Sequence, residues 1–316
     1  MAKSRWLVFV ALGAIYLIWG STYLGIRIAI ETLPPFLMAG GRFVIAGMIM
    51  LALQSRGGRP TVTRIHWRSA FVIGGLMLVG GNGGVSWAEQ TVPSGIASLM
   101  IAAVPLWVVL LNWGAFDHEQ PNGRMAAGLV GGILGVALLI GPDSLLGDGG
   151  MEPLGGAALV GAALAWSAGS LYSRRAPLPS NPLYATGMEM LAGGALLFLV
   201  GTLAGEWAEL DFSAVSARSM AAFTYLTLIG SLAAFPAYIW LLRNTTPARA
   251  ASYAYVNPVV AVFLGWAVAG ESLTARIFAA AAVIITAVVV ITSGRAQARP
   301  RPASPGAQPE TAPVSK

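Results

Sequence analysis

Along the 316 residues, polar clusters separate ten apolar stretches, each of about 20 residues and long enough to cross a bilayer as a helix. They cover roughly 7–28, 34–54, 69–89, 95–115, 124–142, 154–173, 182–204, 219–241, 247–269 and 275–293. The loops between them are short, so they use nearly the whole chain. No length remains for a soluble catalytic domain.

The pattern is written twice, over residues 12–142 and 156–294. At a constant offset Trp19 falls on Trp166, Arg27 on Arg174, Pro35 on Pro182 and Arg42 on Glu189. After a small insertion Pro93 falls on Pro247, Ser98 on Ser252, Glu119 on Glu271 and Arg124 on Arg276. Each copy holds an odd number of spans, so the two must enter the bilayer from opposite sides. The expected fold is an all-α integral membrane protein, with ten transmembrane helices as two inverted five-helix repeats. The expected division is a first repeat over 7–142, an external linker over 143–153 and a second repeat over 154–294. A Pro-, Ala- and Arg-rich cytoplasmic tail over 295–316 reads as disordered.

Composition agrees. Charged residues make up 10% of the chain and hydrophobic ones 56%, against about 25% charged in a soluble domain. The net charge of +6 raises the question of a polyanion partner, and position answers it. If the helices alternate, fifteen of the 19 Lys and Arg residues fall on one side. The other side receives Arg27, Arg218 and Arg276, while Arg42 lies inside a helix. The positive-inside rule then places both termini in the cytoplasm, in a multi-pass protein of the inner (plasma) membrane. The basic surplus is a topology signal rather than a nucleic-acid surface. Several acids, including Glu31, Glu89, Glu206, Glu209 and Glu271, fall in or beside the external loops. The chain has no cysteine, which removes disulfides and thiolate metal sites. The first apolar run lacks a small-residue cleavage site and reads as a retained helix.

A charge at bilayer depth is costly, so Arg42 and Glu189 should face the bundle interior or water. They occupy matched positions, and their depths place them within reach of each other. One reading is a structural ion pair. The other makes Arg42 a substrate anchor or Glu189 a proton-coupling carboxylate. Helix 1 carries Trp19, Thr22 and Tyr23 on one face, and helix 6 carries Trp166 with Ser167 and Ser170 around it. Two such faces across a two-fold would form an amphipathic pocket; ordinary helix packing is the alternative. In helix 3, Gly80, Gly81, Asn82, Gly83 and Gly84 precede Ser86, a run that lets a helix kink or unwind and offers Asn82 as a ligand. The matching region of helix 8 supplies Phe235, Pro236 and Tyr238. Helices 4 and 9 share Ser98 and Ser252, with Pro105 and Pro258 further in and Asn257 beside the second proline. Paired kinks suit a gate or a site. Small residues at Gly128, Gly131, Gly132 and Gly135 fit close helix packing, or a homodimer seam. His66 and His118 lie in different loops and suggest no metal site, and nothing calls for a cofactor.

With two inverted halves in view, the chain resembles the drug/metabolite transporter superfamily, EamA branch. The resemblance rests on Trp19 to Tyr23, Arg42-Phe43, Ala88 to Leu99 and Gly270-Glu271. In the first half Phe116-Asp117-His118-Glu119 replaces the usual Gly-Glu. The resemblance implies an exporter of amino acids, metabolites or amphipathic drugs, with a cavity formed mainly by helices 1, 3, 4, 6, 8 and 9. The expected function is secondary export of an amino-acid-like or amphipathic metabolite by alternating access. A passive facilitator is the alternative. A membrane-embedded enzyme is the remote one, since the chain offers one acid and one arginine at depth. The expected partners are a small-molecule substrate and the lipid bilayer.

Overall fold

The protein is described by a computed structural model over residues 2–56, 60–116, 118, 120–141, 152–244 and 253–296. Pro247, Ser252, Glu119, most of the expected linker and the expected tail beyond 296 lie outside the described residues. Among the described residues every regular element is a helix: α1 (Ala2–Ala29), α2 (Pro35–Ser55), α3 (Arg64–Ala88), α4 (Ser94–Ala115), α5 (Gly123–Ile140), α6 (Pro153–Ser173), α7 (Pro182–Leu203), α8 (Ala217–Leu241), α9 (Tyr253–Ala269) and α10 (Ala275–Ala296). Nine of these are long and apolar enough to cross a membrane, and α9, at 17 residues, is apolar but shorter. A one-turn helix, Glu206–Glu209, lies between α7 and α8.

The outside of the bundle is apolar. Leu17, Val130, Leu134, Phe263 and Phe278 are all exposed, as they would be against lipid rather than water. Polar side chains such as Ser98, Ser167, Ser231 and Asn257 are buried.

Close packing depends on glycine at a few points. A Cβ on Gly40 would meet the carbonyl of Gly194, and one on Gly47 the carbonyl of Gly187 and the amide of Leu191. The numbers run in opposite senses, so α2 and α7 cross antiparallel with their backbones in contact. Gly128 meets Ile291 and Gly135 meets Ile284, so α5 and α10 also pack antiparallel. Both pairs join helices that hold matched places in the two copies.

The glycine-rich stretch of α3 stays helical rather than unwinding. It widens into a π-helix over Gly74–Gly83, and α8 does the same over Leu226–Ala233. Such wide turns keep backbone groups bonded while shifting the helix phase, and they recur at functional sites. The two prolines differ. Around Ala102–Ala103, α4 breaks, and Pro105 lies in the first turn of its second piece, Val104–Ala115, whereas Pro258 sits inside α9. At a helix start proline loses no bond; inside a helix it removes one.

Two helix starts are closed by glutamates from far along the chain. Pro34, the residue before α2, offers no side-chain cap, and Glu206 takes that role by accepting from the amides of Phe36 at 3.0 Å and Leu37 at 2.8 Å. Burial raises the Glu206 carboxyl above its ordinary range, against the two amides, which favour its charged form. Glu271 caps α4, accepting from the Ser94 amide and hydroxyl, both at 2.7 Å, and the Gly95 amide at 2.9 Å. By contrast α7 is capped locally, by Asn181 Oδ1 accepting from the Leu183 and Tyr184 amides.

Candidate functional site

A cavity of ≈ 240 Å³ lies inside the bundle. Trp19, Thr22 and Tyr23 of α1, Asn82 of α3, Ser98 of α4, Trp166 of α6, Phe235 of α8 and Asn257 of α9 all line it. Arg42 and Phe43 of α2 and Thr292 of α10 line it as well. The wall therefore draws on α2 and α10 in addition to the six helices the resemblance implied.

One wall is aromatic. Trp19 meets Phe235 at 5.5 Å between ring centroids, and Tyr238 and Tyr253 at 5.1 Å each. Edge-to-face and tilted packing of this kind fixes ring positions. The Trp19 indole donates to the Gly230 carbonyl at 3.3 Å, a group within the wide turns of α8. The π segment of α8 thus positions the principal aromatic of α1.

The other wall carries the charge. Arg42 is 5% exposed, its Nε donates to Ser231 Oγ at 2.9 Å, and its guanidinium lies 4.7 Å from the Phe43 ring centroid. Ser231 also belongs to the wide turns of α8 and donates to the Leu226 carbonyl. No ion pair joins Arg42 to Glu189. Glu189 is half-buried and absent from the cavity wall. The Glu189 backbone carbonyl packs against Gly74 of α3. Arg42 thus reaches the cavity with its Nε bonded and no carboxylate on its terminal nitrogens. Asn257 Oδ1, on the same cavity, has no hydrogen-bond partner.

The remaining expected residues stand outside the wall. Ser86 is buried at 1% exposure. Ser170 donates to the carbonyl of Trp166 within its own helix. Tyr238 packs behind Trp19 and against Tyr253. Ser252 lies outside the described residues. Phe43 and Thr292 also line the cavity without being singled out from the sequence, where the one signal for Thr292 is a hydroxyl within an apolar run. Glu89, expected beside an external loop, lies just beyond the α3 span and is completely buried, which the sequence did not signal. No group of His, Asp and Glu able to hold a metal occurs among the described residues.

Comparison with known proteins gives this geometry a context. The uncharacterized inner membrane transporter YedA of Escherichia coli K12 is 40% identical over 290 residues, covering 91% of each chain. Protein PecM of Dickeya dadantii is 26% identical over 295 residues, covering 90% of this chain and 93% of its own. A probable amino-acid metabolite efflux pump of Escherichia coli K12 is 24% identical, covering 89% and 93%. A solved crystal structure shares the fold with a TM-score of 0.60 at 22% identity, covering 95% of this chain and 100% of that one. These names point to transporters rather than enzymes, and the helices to a multi-pass membrane protein. The family model described as the EamA-like transporter family matches twice, over residues 4–141 and 153–293, and the chain belongs to that family.

Proposed function

We propose that the protein is a secondary exporter of a small amino-acid-like or amphipathic metabolite, working by alternating access through the Trp19–Arg42 cavity. Ten spans arranged as two inverted five-helix repeats, with both termini cytoplasmic, form its frame. The antiparallel crossings of α2 with α7 and of α5 with α10 support that inversion. The arginine distribution supports the orientation.

The observation that carries the reading is Arg42. A buried guanidinium at a cavity wall with no carboxylate partner is costly unless a ligand supplies one. Asn257 Oδ1 offers an acceptor for a ligand ammonium, and the Trp19, Phe235 and Tyr253 rings offer an apolar bed. Together these suit a zwitterion with an apolar side chain. A volume of ≈ 240 Å³ falls below the about 300–1,000 Å³ of drug-sized sites, which favours a metabolite of amino-acid size. One relative's name, an amino-acid metabolite efflux pump, agrees with that class. The sequence carries no nucleotide-binding motif, so an ion gradient or the substrate's own gradient supplies the energy.

The test is counterflow in proteoliposomes with radiolabelled L-amino acids, each competed by the amine that lacks its carboxylate. The expected result is uptake competed by amino acids and not by the amines, and lost in Arg42→Gln. Equal competition by the amines would remove Arg42 as the anchor. Strict equilibration under every imposed ion gradient would favour a passive facilitator.

A further inference from the structure

Glu89 is the first residue beyond the α3 span, at the end of α1 opposite the amino terminus, where Arg27 approaches it. It is 0% exposed, and neither carboxylate oxygen has a hydrogen-bond partner. An ionised carboxylate buried without a donor is among the most costly arrangements a protein can hold, and such a group neutralises by taking a proton. The cation beside it relieves it only in part, and burial outweighs it. Arg27 donates instead to the backbone carbonyls of Glu89 and Gln90, and no ion pair joins its guanidinium to the Glu89 carboxylate.

The groups facing Glu89 explain why it differs from its neighbour. From α1 come Arg27 and the Tyr23 hydroxyl, and from the turn before α10 comes Glu271. α2 presents Phe36 against Gly83, and α6 presents Gly155 against Thr91 and Val92, with its acidic cap Glu152 exposed. Glu271 accepts three hydrogen bonds from Ser94 and Gly95, whereas the Glu89 carboxyl accepts none. Two nearby carboxylates cannot both ionise cheaply, and the one with no donors holds the proton. Burial first, and Glu271 second, push the Glu89 carboxyl well above the ordinary carboxylate range.

We propose that Glu89 is a proton-binding site coupled to the substrate cavity. The inference rests on the transporter reading above and adds to it the ion that drives transport and the residue that carries it. In the conformation described, Glu89 is a neutral acid. Release requires Arg27 to leave the two backbone carbonyls and bind the carboxylate, whereupon the proton passes to water at that end of the bundle. Tyr23 connects the site to the cavity, since it lines the cavity wall and interacts with Glu89.

The first experiment needs no substrate. Infrared difference spectra of the full-length protein in lipid, titrated with acid and base, should show a protonated-carboxyl band at neutral pH. The band should be missing in Glu89→Gln and persist to higher pH in Arg27→Gln, which removes the displacing cation. A spectrum that Glu89→Gln leaves unchanged overturns the proposal. The second experiment uses the same radiolabelled amino acids in proteoliposomes. The ratio of uptake with an imposed pH gradient to uptake without one should exceed unity in wild type and in the surface control Glu31→Gln. It should fall to unity in Glu89→Gln and Arg27→Gln. A ratio undiminished in Glu89→Gln, or one abolished by Glu189→Gln instead, also overturns it. Failure of wild-type counterflow would count against the substrate class alone, and the infrared band would still decide the site.

Discussion

Helices α2 and α7 hold the same place in their respective copies, begin at a proline, and bring glycines at matched offsets into mutual contact. In backbone they are near equivalents. In chemistry they diverge. At one matched position α2 carries Arg42 into the cavity, held by Ser231 and the Phe43 ring, while α7 carries Glu189 away from the wall. At their starts, α7 is capped by its own Asn181 and α2 by Glu206. Symmetry serves the frame, where backbones must meet. The departures from it lie where a ligand would be recognised and where the halves are joined.

The severest challenge to this near-equivalence is a side chain on one of the shared glycines. A Cβ at Gly47 would lie 2.7 Å from the Leu191 amide nitrogen, and overpacking typically costs about 1–3 kcal/mol, more where backbone blocks relaxation. Gly47→Leu should eliminate monodisperse protein on size-exclusion chromatography, while Met48→Leu, on the exposed face of the same helix, should elute like wild type. Next is the charge asymmetry. Arg42→Gln should weaken amino-acid binding by about 10–100-fold, the worth of a charge-assisted hydrogen bond. Glu189→Gln should leave that affinity unchanged in the same scintillation-proximity assay; equal losses would mean that the matched charges act together.

Smaller effects separate the two kinds of cap. Glu206→Ala should cost near the top of the about 0.5–2 kcal/mol range of helix caps, because the carboxylate is buried and caps two amides in the first turn of α2. Asn181→Ala, nearer the surface, should fall near the bottom, and thermal unfolding in detergent would rank the two. The smallest effect sets the scale. The exposed Glu31–Arg218 pair, at 3.3 Å, should contribute less than about 1 kcal/mol and fade with salt. A Glu31→Gln loss as large as that of Glu206→Ala would contradict the distinction between buried and surface charge.

The spans and the duplication were legible because lipid demands long apolar runs and because matched residues recur in order. Trp19, Arg42, Asn82 and Trp166 were legible as polar or aromatic groups with no reason to face lipid, and all four line the cavity. Ser86, expected at the site, is buried off the cavity wall. The wide turns of Gly74–Gly83 precede it, and each extra residue in a turn rotates the rest of the helix by about 100° relative to an ideal α-helix. The burial of Glu89 was hidden for another reason. Its neighbours include Arg27 and Glu271, the second far later in the chain, and no local pattern reports them. The separation of Arg42 from Glu189 was likewise invisible, since depth along a helix says nothing of the direction in which a side chain leaves it.

The cap that Glu271 places on α4 also bears on how the protein is made. Ser94 and Glu271 are 177 residues apart. At about 5–20 residues per second, a ribosome needs roughly 10–35 s to travel between them. Throughout that interval the first amides of α4 must be satisfied by water or by the insertion machinery. The amino-terminal half therefore reaches the membrane with two helix starts still open, that of α2 until Glu206 follows and that of α4 until the last hairpin arrives.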